Sequence, residues 1–335
     1  MGKVFFLFFL ILTGAAVIFS LPAAFRIFGL EIGGVEANKS EALAISVNGG
    51  EFRPAAVHGL SSTPDVFDIE QSLVDDSVFY AGTSRGLLIS KDGGENWHVF
   101  SDLEKKIDAA AVKKIVANRA NPKQTFVSAS NGGKEFVYLT EDNFFSLKTV
   151  FEIKKAAVAD LEMDGDQLLL GLSDGRILRY IIGNDLFMPL FAFDSAVLDL
   201  AAGNGVIYAS TKSNGVFKSY DGGKTFTAAG NWIGAVKRLT LENEKRIYAA
   251  SLSGVLRSDN GGDWISVKTA AEKNGAIEDI VVERGAVYLA SGSKIYKSAD
   301  AGALWKIFTP FSAKRTSTVI NLAKNGKIII IGSKG

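Results

Sequence analysis

This 335-residue sequence predicts an all-β fold, a seven-bladed β-propeller closed by pairing of its N- and C-terminal strands and preceded by one N-terminal transmembrane helix. Three observations lead there. A short β-like segment recurs about every 40 residues, the length of a blade of four strands. A Ser-x-Asp-x-Gly turn stands at a constant place within the repeat. The final repeat is half a unit, and a matching half stands near the other end of the chain.

The repeats begin at Val66, Val112, Val158, Val197, Val236, Ile277 and Val319, so successive starts lie 46, 46, 39, 39, 41 and 42 residues apart. A second strand follows, as in Val206–Ser210, Arg246–Ala250 and Ala286–Ala290, rich in residues that suit a pleated surface. The third, as in Gly215–Lys218, Gly254–Arg257 and Lys294–Lys297, alternates apolar and polar side chains and so has one buried face. The seventh repeat has strands at Val319–Leu322 and Lys327–Ile331 and then stops, whereas Ala42–Phe52 matches a third strand and its turn. The two termini are therefore expected to build one blade together, which removes the open edges that template aggregation.

The turn between third and fourth strands is written Ser90, Asp92, Gly94, Trp97 in the first unit. It returns as Ser219, Asp221, Gly223, Phe226 and as Ser298, Asp300, Gly302, Trp305, with a version one residue shorter in Ser258, Asn260, Gly262, Trp264. In such a turn the Asp or Asn side chain accepts backbone amides, glycine supplies positive φ, and the aromatic re-anchors the chain in the sheet. Two units have drifted. Thr140–Leu147 keeps Asp142 without the glycine, and Tyr180–Phe187 has Ile182 where the acid is expected. Drift of this kind makes the turn a folding device rather than a source of catalytic carboxylates.

The pattern resembles the Asp box, or BNR repeat, S-x-D-x-G-x-x-W. Families that carry it include sialidases, xyloglucan hydrolases, sortilin-type receptors and the photosystem II stability/assembly factors, and in all of them the box decorates propeller blades away from the channel. The resemblance implies the fold and leaves the function open. The chain is most similar to the photosystem II stability/assembly factor-like proteins, single propellers of about this size exported across a membrane. That resemblance implies a non-catalytic scaffold that holds client membrane proteins during assembly or turnover. Sialidases have an early Phe-Arg-Ile-Pro signature; here Phe25-Arg26-Ile27-Phe28 lacks the proline and Phe52-Arg53-Pro54 lacks the isoleucine. Xyloglucan hydrolases place their acids between two propellers, and this chain has length for one. The sortilin type relies on a cysteine-rich domain, and this chain has no cysteine. An envelope glycan-binding or sialidase-type glycoside-hydrolase-like propeller is the alternative reading.

Composition narrows the chemistry further. A net charge of +1 provides no bulk attraction for nucleic acid, and the absence of cysteine excludes disulfides, thiolate zinc sites and Cys nucleophiles. With two histidines, His58 and His98, a His-based metal cluster is not expected, and no EF-hand spacing accompanies the Asp-Gly turns. No cofactor is implied. Val4–Phe25 is 22 residues without a charge, enough to cross a bilayer core that needs about 20 helical residues. Residues 1–26 are read as an N-terminal anchor, the alternative being a signal peptide cleaved near Ala23-Ala24. Residues 27–40 are read as a linker and 41–335 as the propeller, displayed on the extracytoplasmic side.

Two sets of charged residues are candidate sites. The third position of each first strand holds Asp68, Lys114, Asp160, Asp199, Arg238, Asp279 and Asn321, which would ring the central channel. They either receive a ligand at the channel mouth or tie neighbouring strands together, since buried polar groups must be satisfied. The second set is basic. Ser101-Asp102-Leu103-Glu104 has capping-box spacing and is expected to open a helix-like stretch through Lys114, so that Lys105, Lys106, Lys113, Lys114, Arg119 and Lys123 form one patch for a protein partner.

Overall fold

The structure, a computed structural model, describes residues 38–335 apart from 49, 103, 231–233, 244, 253, 270, 272–275, 313, 315 and 324–327. The predicted anchor and all but the end of the predicted linker lie outside the described residues. Among the described residues no helix is long and apolar enough to cross a membrane.

The chain enters through β1 (Asn38–Val47) and β2 (Arg53–His58), so strand structure starts within the stretch expected to be a linker. Four-strand meanders follow: β3 (Val66–Gln71), β4 (Phe79–Thr83), β5 (Gly86–Ser90), β6 (Asn96–Phe100); then β7 (Ala111–Ala117), β8 (Thr125–Asn131), β9 (Lys134–Thr140), β10 (Lys148–Ile153). The next two are β11 (Val158–Asp164), β12 (Gln167–Leu172), β13 (Arg176–Ile181), β14 (Leu186–Ala192) and β15 (Val197–Gly203), β16 (Val206–Thr211), β17 (Gly215–Ser219), β18 (Thr227–Ala228). After β19 (Val236–Leu241), β20 (Ile247–Ser251), β21 (Gly254–Ser258), β22 (Ile265–Val267) come β23 (Ile277–Glu283), β24 (Ala286–Ser291), β25 (Lys294–Ser298), β26 (Lys306–Phe308). β27 (Thr316–Ala323) and β28 (Ile328–Lys334) end the chain.

Five sheets contain four strands each, and one contains eight in the order β27-β28-β1-β2-β6-β5-β4-β3. This repetition of four-strand sheets is the architecture of a β-propeller. The first and last described strands share a sheet: β1 pairs with β28 from Leu43–Gly332 to Val47–Ile328, antiparallel. The eight strands arise because β2 also pairs with β6, in parallel, through Ala56–Asn96, Val57–Trp97 and His58–His98.

The helix expected from Ser101 through Lys114 does not form. The Asp102 carboxylate caps a turn, accepting from the amides of Glu104 and Ile107, each at 3.2 Å. Lys105 and Ala109 have φ of 55° and 57°, which no α-helix tolerates, and Lys113 and Lys114 lie in β7. Burial of Ile107 and Ala110 against the next sheet decides the matter over local capping.

Second strands are the most buried, and small residues there let the next sheet approach. Asp68 pairs with Gly82, Asp160 with Gly171 and Val319 with Gly332. A Cβ on Gly82 would stand 2.7 Å from the Val112 carbonyl, on Gly171 2.7 Å from Val197 Cγ1, and on Gly332 2.5 Å from Val66 Cγ1. Space, not φ, requires glycine. Gly171→Leu is therefore expected to cost about 1–3 kcal/mol through overpacking, read as a lower urea midpoint at unchanged slope.

Candidate functional site

Inner strands from every sheet line one polar cavity of about 480 Å³. All seven residues predicted to ring a channel are on its wall, together with Glu70, Arg119, Glu162 and Glu283. Strand register corrects one assignment. In β3, β11 and β15 a bulge precedes Asp68, Asp160 and Asp199, and in β27 the same bulge precedes Val319. Val319 therefore occupies the position of the ring aspartates, and Asn321 stands two residues further along, level with Glu70 and Glu162. A two-residue period places Glu70 and Glu162 on the face of Asp68 and Asp160, a signal present in the sequence.

The ring residues reach from one sheet to the next around the cavity. Asp68 accepts from Ile115 N at 2.7 Å, Asp160 from Leu200 N at 2.9 Å, Asp199 from Leu239 N at 2.7 Å and Asp279 from Ile320 N at 2.8 Å. The cations fill the remaining junctions. Lys114 Nζ lies 2.8 Å from Asp160 Oδ1, Arg238 NH1 donates to Asp199 at 3.0 Å and its Nε stands 3.5 Å from Asp279. Asn321 Nδ2 donates to the Ile69 carbonyl at 3.0 Å, joining β27 to β3. These carboxylates and cations hold strands together.

Burial and crowding shift the acids upward. Burial first, then the Asp68 carboxylate, pushes Glu70 up to about 8; burial, then Asp160, raises Glu162 well above its ordinary value and Asp199 to about 7. The same carboxylates outweigh burial at Lys114 and Arg238, whose pKa values rise. Between pH 4.5 and about 8 the folded chain keeps a proton on Glu70 that the unfolded chain has released, so this group's contribution to stability falls as pH rises through that window. Glu70→Gln keeps an acceptor and removes that loss. It should match the parent near pH 5 and exceed it by about 1–3 kcal/mol at pH 9, measured by urea unfolding at both pH values.

The Ser-x-Asp-x-Gly turns are self-contained networks. Ser90 Oγ donates to Asp92 at 2.9 Å and accepts from Gly94 N at 2.9 Å, Asp92 accepts from Asn96 N at 3.0 Å, and Trp97 Nε1 donates to the Gly94 carbonyl at 2.9 Å. Ser219 with Asp221 and Gly223, and Ser298 with Asp300 and Gly302, repeat the pattern; Asn260 takes the amides of Gly262 and Asp263 instead. Phe226 packs on Phe191, Trp264 Nε1 donates to the Ala229 carbonyl and Trp305 Nε1 to those of Lys268 and Gly302. Burial would raise Asp92, but the bonds from Asn96 and Ser90 outweigh it and hold the carboxyl below its usual range. Asp92→Ala should cost about 1–2 kcal/mol, seen as a shift in thermal unfolding.

The turn that lost its glycine keeps this network. Thr140 Oγ1 donates to Asp142 at 3.0 Å, Phe144 N donates to Thr140 at 2.9 Å and Ser146 N to Asp142 at 2.9 Å, with Phe144 at φ 70°. Elsewhere a Cβ here would collide with an apolar side chain of a facing strand, 2.6 Å from Ile330 at Gly94 and 2.4 Å from Leu190 at Gly223. Phe144 fills that space itself, its ring 4.6 Å from Tyr80.

The predicted basic patch is not one surface. Lys106 donates to the Leu147 carbonyl, Lys113 pairs with Glu135 at 2.7 Å and Lys114 is inside the ring. Lys105 precedes β7, whereas Arg119 and Lys123 follow it, at the strand's other end. Among the described residues no group of His, Cys, Asp or Glu could hold a metal ion.

Four-strand sheets around a polar cavity whose walls are tied strand to strand define the class, a β-propeller. No family model matches the chain, and no curated protein does. Among solved structures it is similar to YCF48 from Cyanidioschyzon merolae, at 14% identity over 86% of this chain and 98% of that one, with a TM-score of 0.65. It is similar to YCF48 bound to D1 peptide at 13% identity over 82% of this chain and 94% of that one, TM-score 0.63. A GH74 xyloglucanase from Xanthomonas campestris gives 12% identity over 86% of this chain and 52% of that one, TM-score 0.62. At these identities the likeness is one of fold.

Proposed function

We propose that this chain is a seven-bladed Asp-box propeller, membrane-anchored and extracytoplasmic, that acts as a non-catalytic scaffold or assembly factor for membrane proteins. One observation carries the reading: the ring carboxylates are engaged by backbone amides and by Lys114 and Arg238, so they serve cohesion rather than proton transfer. Extent supports it. The chain corresponds to nearly the whole of YCF48, a protein with a peptide complex, and to about half of the xyloglucanase. The test is capture of the full-length tagged protein from its native membranes after mild crosslinking, with mass spectrometry. A membrane protein enriched in its unassembled form and depleted in its mature complex is the expected result. Retention on polysaccharide, with release of sugar ends and no protein partner, would replace the scaffold with the glycan-active reading.

A further inference from the structure

We propose that one end of this domain, formed by the turns between second and third strands and by the connections between sheets, docks on an anionic lipid bilayer. Inner strands share one direction, since Asp68, Asp160 and Asp199 reach the next strand's amide at the same offset. Those turns and connections therefore gather at one end. Hydrogen bonds tie them together there: Asp65 N to Ser84 Oγ at 3.0 Å, Ala157 N to Ser173 Oγ at 2.8 Å and Lys212 N to the Ala196 carbonyl at 2.9 Å.

This end carries Arg85, Lys105, Lys155, Lys212, Lys314 and Lys334, all exposed and none with an ion pair among the described residues. Its carboxylates are largely engaged. Asp174 pairs with Arg176 and Glu104 with Lys106; Asp108, Asp65 and Glu41 accept from Ser101, Gly335 N and Ser312, and Asp194 is exposed. Leu252, 69% exposed, protrudes from the β20–β21 turn at the same end. The opposite end carries Lys91, Arg119, Lys123, Lys224, Lys245 and Arg284, but also Asp75, Asp76, Asp166, Glu141 and Asp263 besides the turn aspartates, so there the acids outnumber the bases. Lysines and arginines near an anionic leaflet are attracted within a Debye length, and an exposed leucine adds apolar insertion.

Lipid is favoured over an acidic protein by the course of the chain. β1 starts at this end, where Glu41 accepts from Ser312 and Ser333 beside Lys314 and Lys334. The chain before it contains the uncharged run Val4–Phe25. For that choice alone the inference rests on the membrane-attached reading.

The chain has no cysteine, so one introduced thiol is a unique label. Full-length Ser213→Cys and Asp166→Cys, carrying the same fluorophore, are reconstituted in vesicles of phosphatidylcholine alone or with one part in four phosphatidylglycerol, with a headgroup-borne quencher. The Ser213→Cys label should be quenched at least about threefold more in anionic vesicles, the Asp166→Cys label should not, and the difference should vanish in 0.5 M NaCl. Arg85→Glu/Lys155→Glu/Lys212→Glu, with an unchanged melting temperature, should abolish it as well; the salt arm decides if that variant fails to fold. Equal quenching in both vesicle types overturns the proposal, as does a stronger response of the Asp166→Cys label. A Ser213→Cys label that responds to soluble poly-glutamate and not to anionic vesicles replaces lipid with an acidic protein. Client capture without lipid preference overturns this inference and leaves the scaffold standing.

Discussion

A chain lacking residues 316–335 should not fold. Those residues are β27 and β28, and β28 is the partner of β1 along Leu43–Val47. Their removal uncovers Leu43, Ala44 and Ile45, at most 1% exposed in the domain, and takes Val319 and Ile330 from the apolar cluster that contains Val66. It also takes Ile320 N from Asp279 and Asn321 from the Ile69 carbonyl. Two large buried side chains, Leu43 and Ile45, and two strand-to-strand junctions together are comparable to the roughly 5–15 kcal/mol by which a domain is stable. The truncated chain should show no cooperative thermal transition and rapid proteolysis throughout. A cooperative melt within a few degrees of the parent would show that the ends of the chain need not meet.

Asp160→Ala should cost about 3–5 kcal/mol, because it strands a buried cation. Lys114, with its side chain 17% exposed, has its ion pair with Asp160 at 2.8 Å, and Leu200 N loses its acceptor at the same time. Asp160→Asn returns the acceptor without the charge and should recover part of the loss. Lys114→Met combined with Asp160→Leu removes both charges, and paired replacement of this kind is often neutral. Urea unfolding of the three variants separates the terms. A loss below about 1 kcal/mol in Asp160→Ala would mean that water in the cavity solvates Lys114, and that the ring is not what joins the sheets.

What could be read before folding was whatever depends on neighbours in sequence. The turns at Ser90–Trp97 and Ser219–Phe226 are written in contiguous residues, and their networks form as that chemistry requires. Repeat spacing placed the inner strands, and with them most of the cavity wall. The assignment of Asn321 failed because a bulge ahead of Val319 shifts the register, and a bulge leaves no mark on the apolar pattern. The helix at Ser101 failed because tertiary burial of Ile107 outweighed a cap whose spacing also suits a turn. The basic end was invisible for another reason. Arg85, Lys155 and Lys212 come from separate sheets, and only the common direction of the strands brings them to one side.

The parallel contact of β2 with β6 has a bearing on how the molecule is made. During translation β1 and β2 emerge before every other described strand, yet the sheet they belong to is completed by β27 and β28, which follow all five four-strand sheets. Such an apolar hairpin would otherwise wait unshielded while the rest is synthesised. β6 is available as soon as the first meander has formed, and the Glu95 carbonyl just ahead of it accepts from Ala56 N at 2.9 Å. The nascent N-terminus is thus berthed on its neighbour until its final partner arrives.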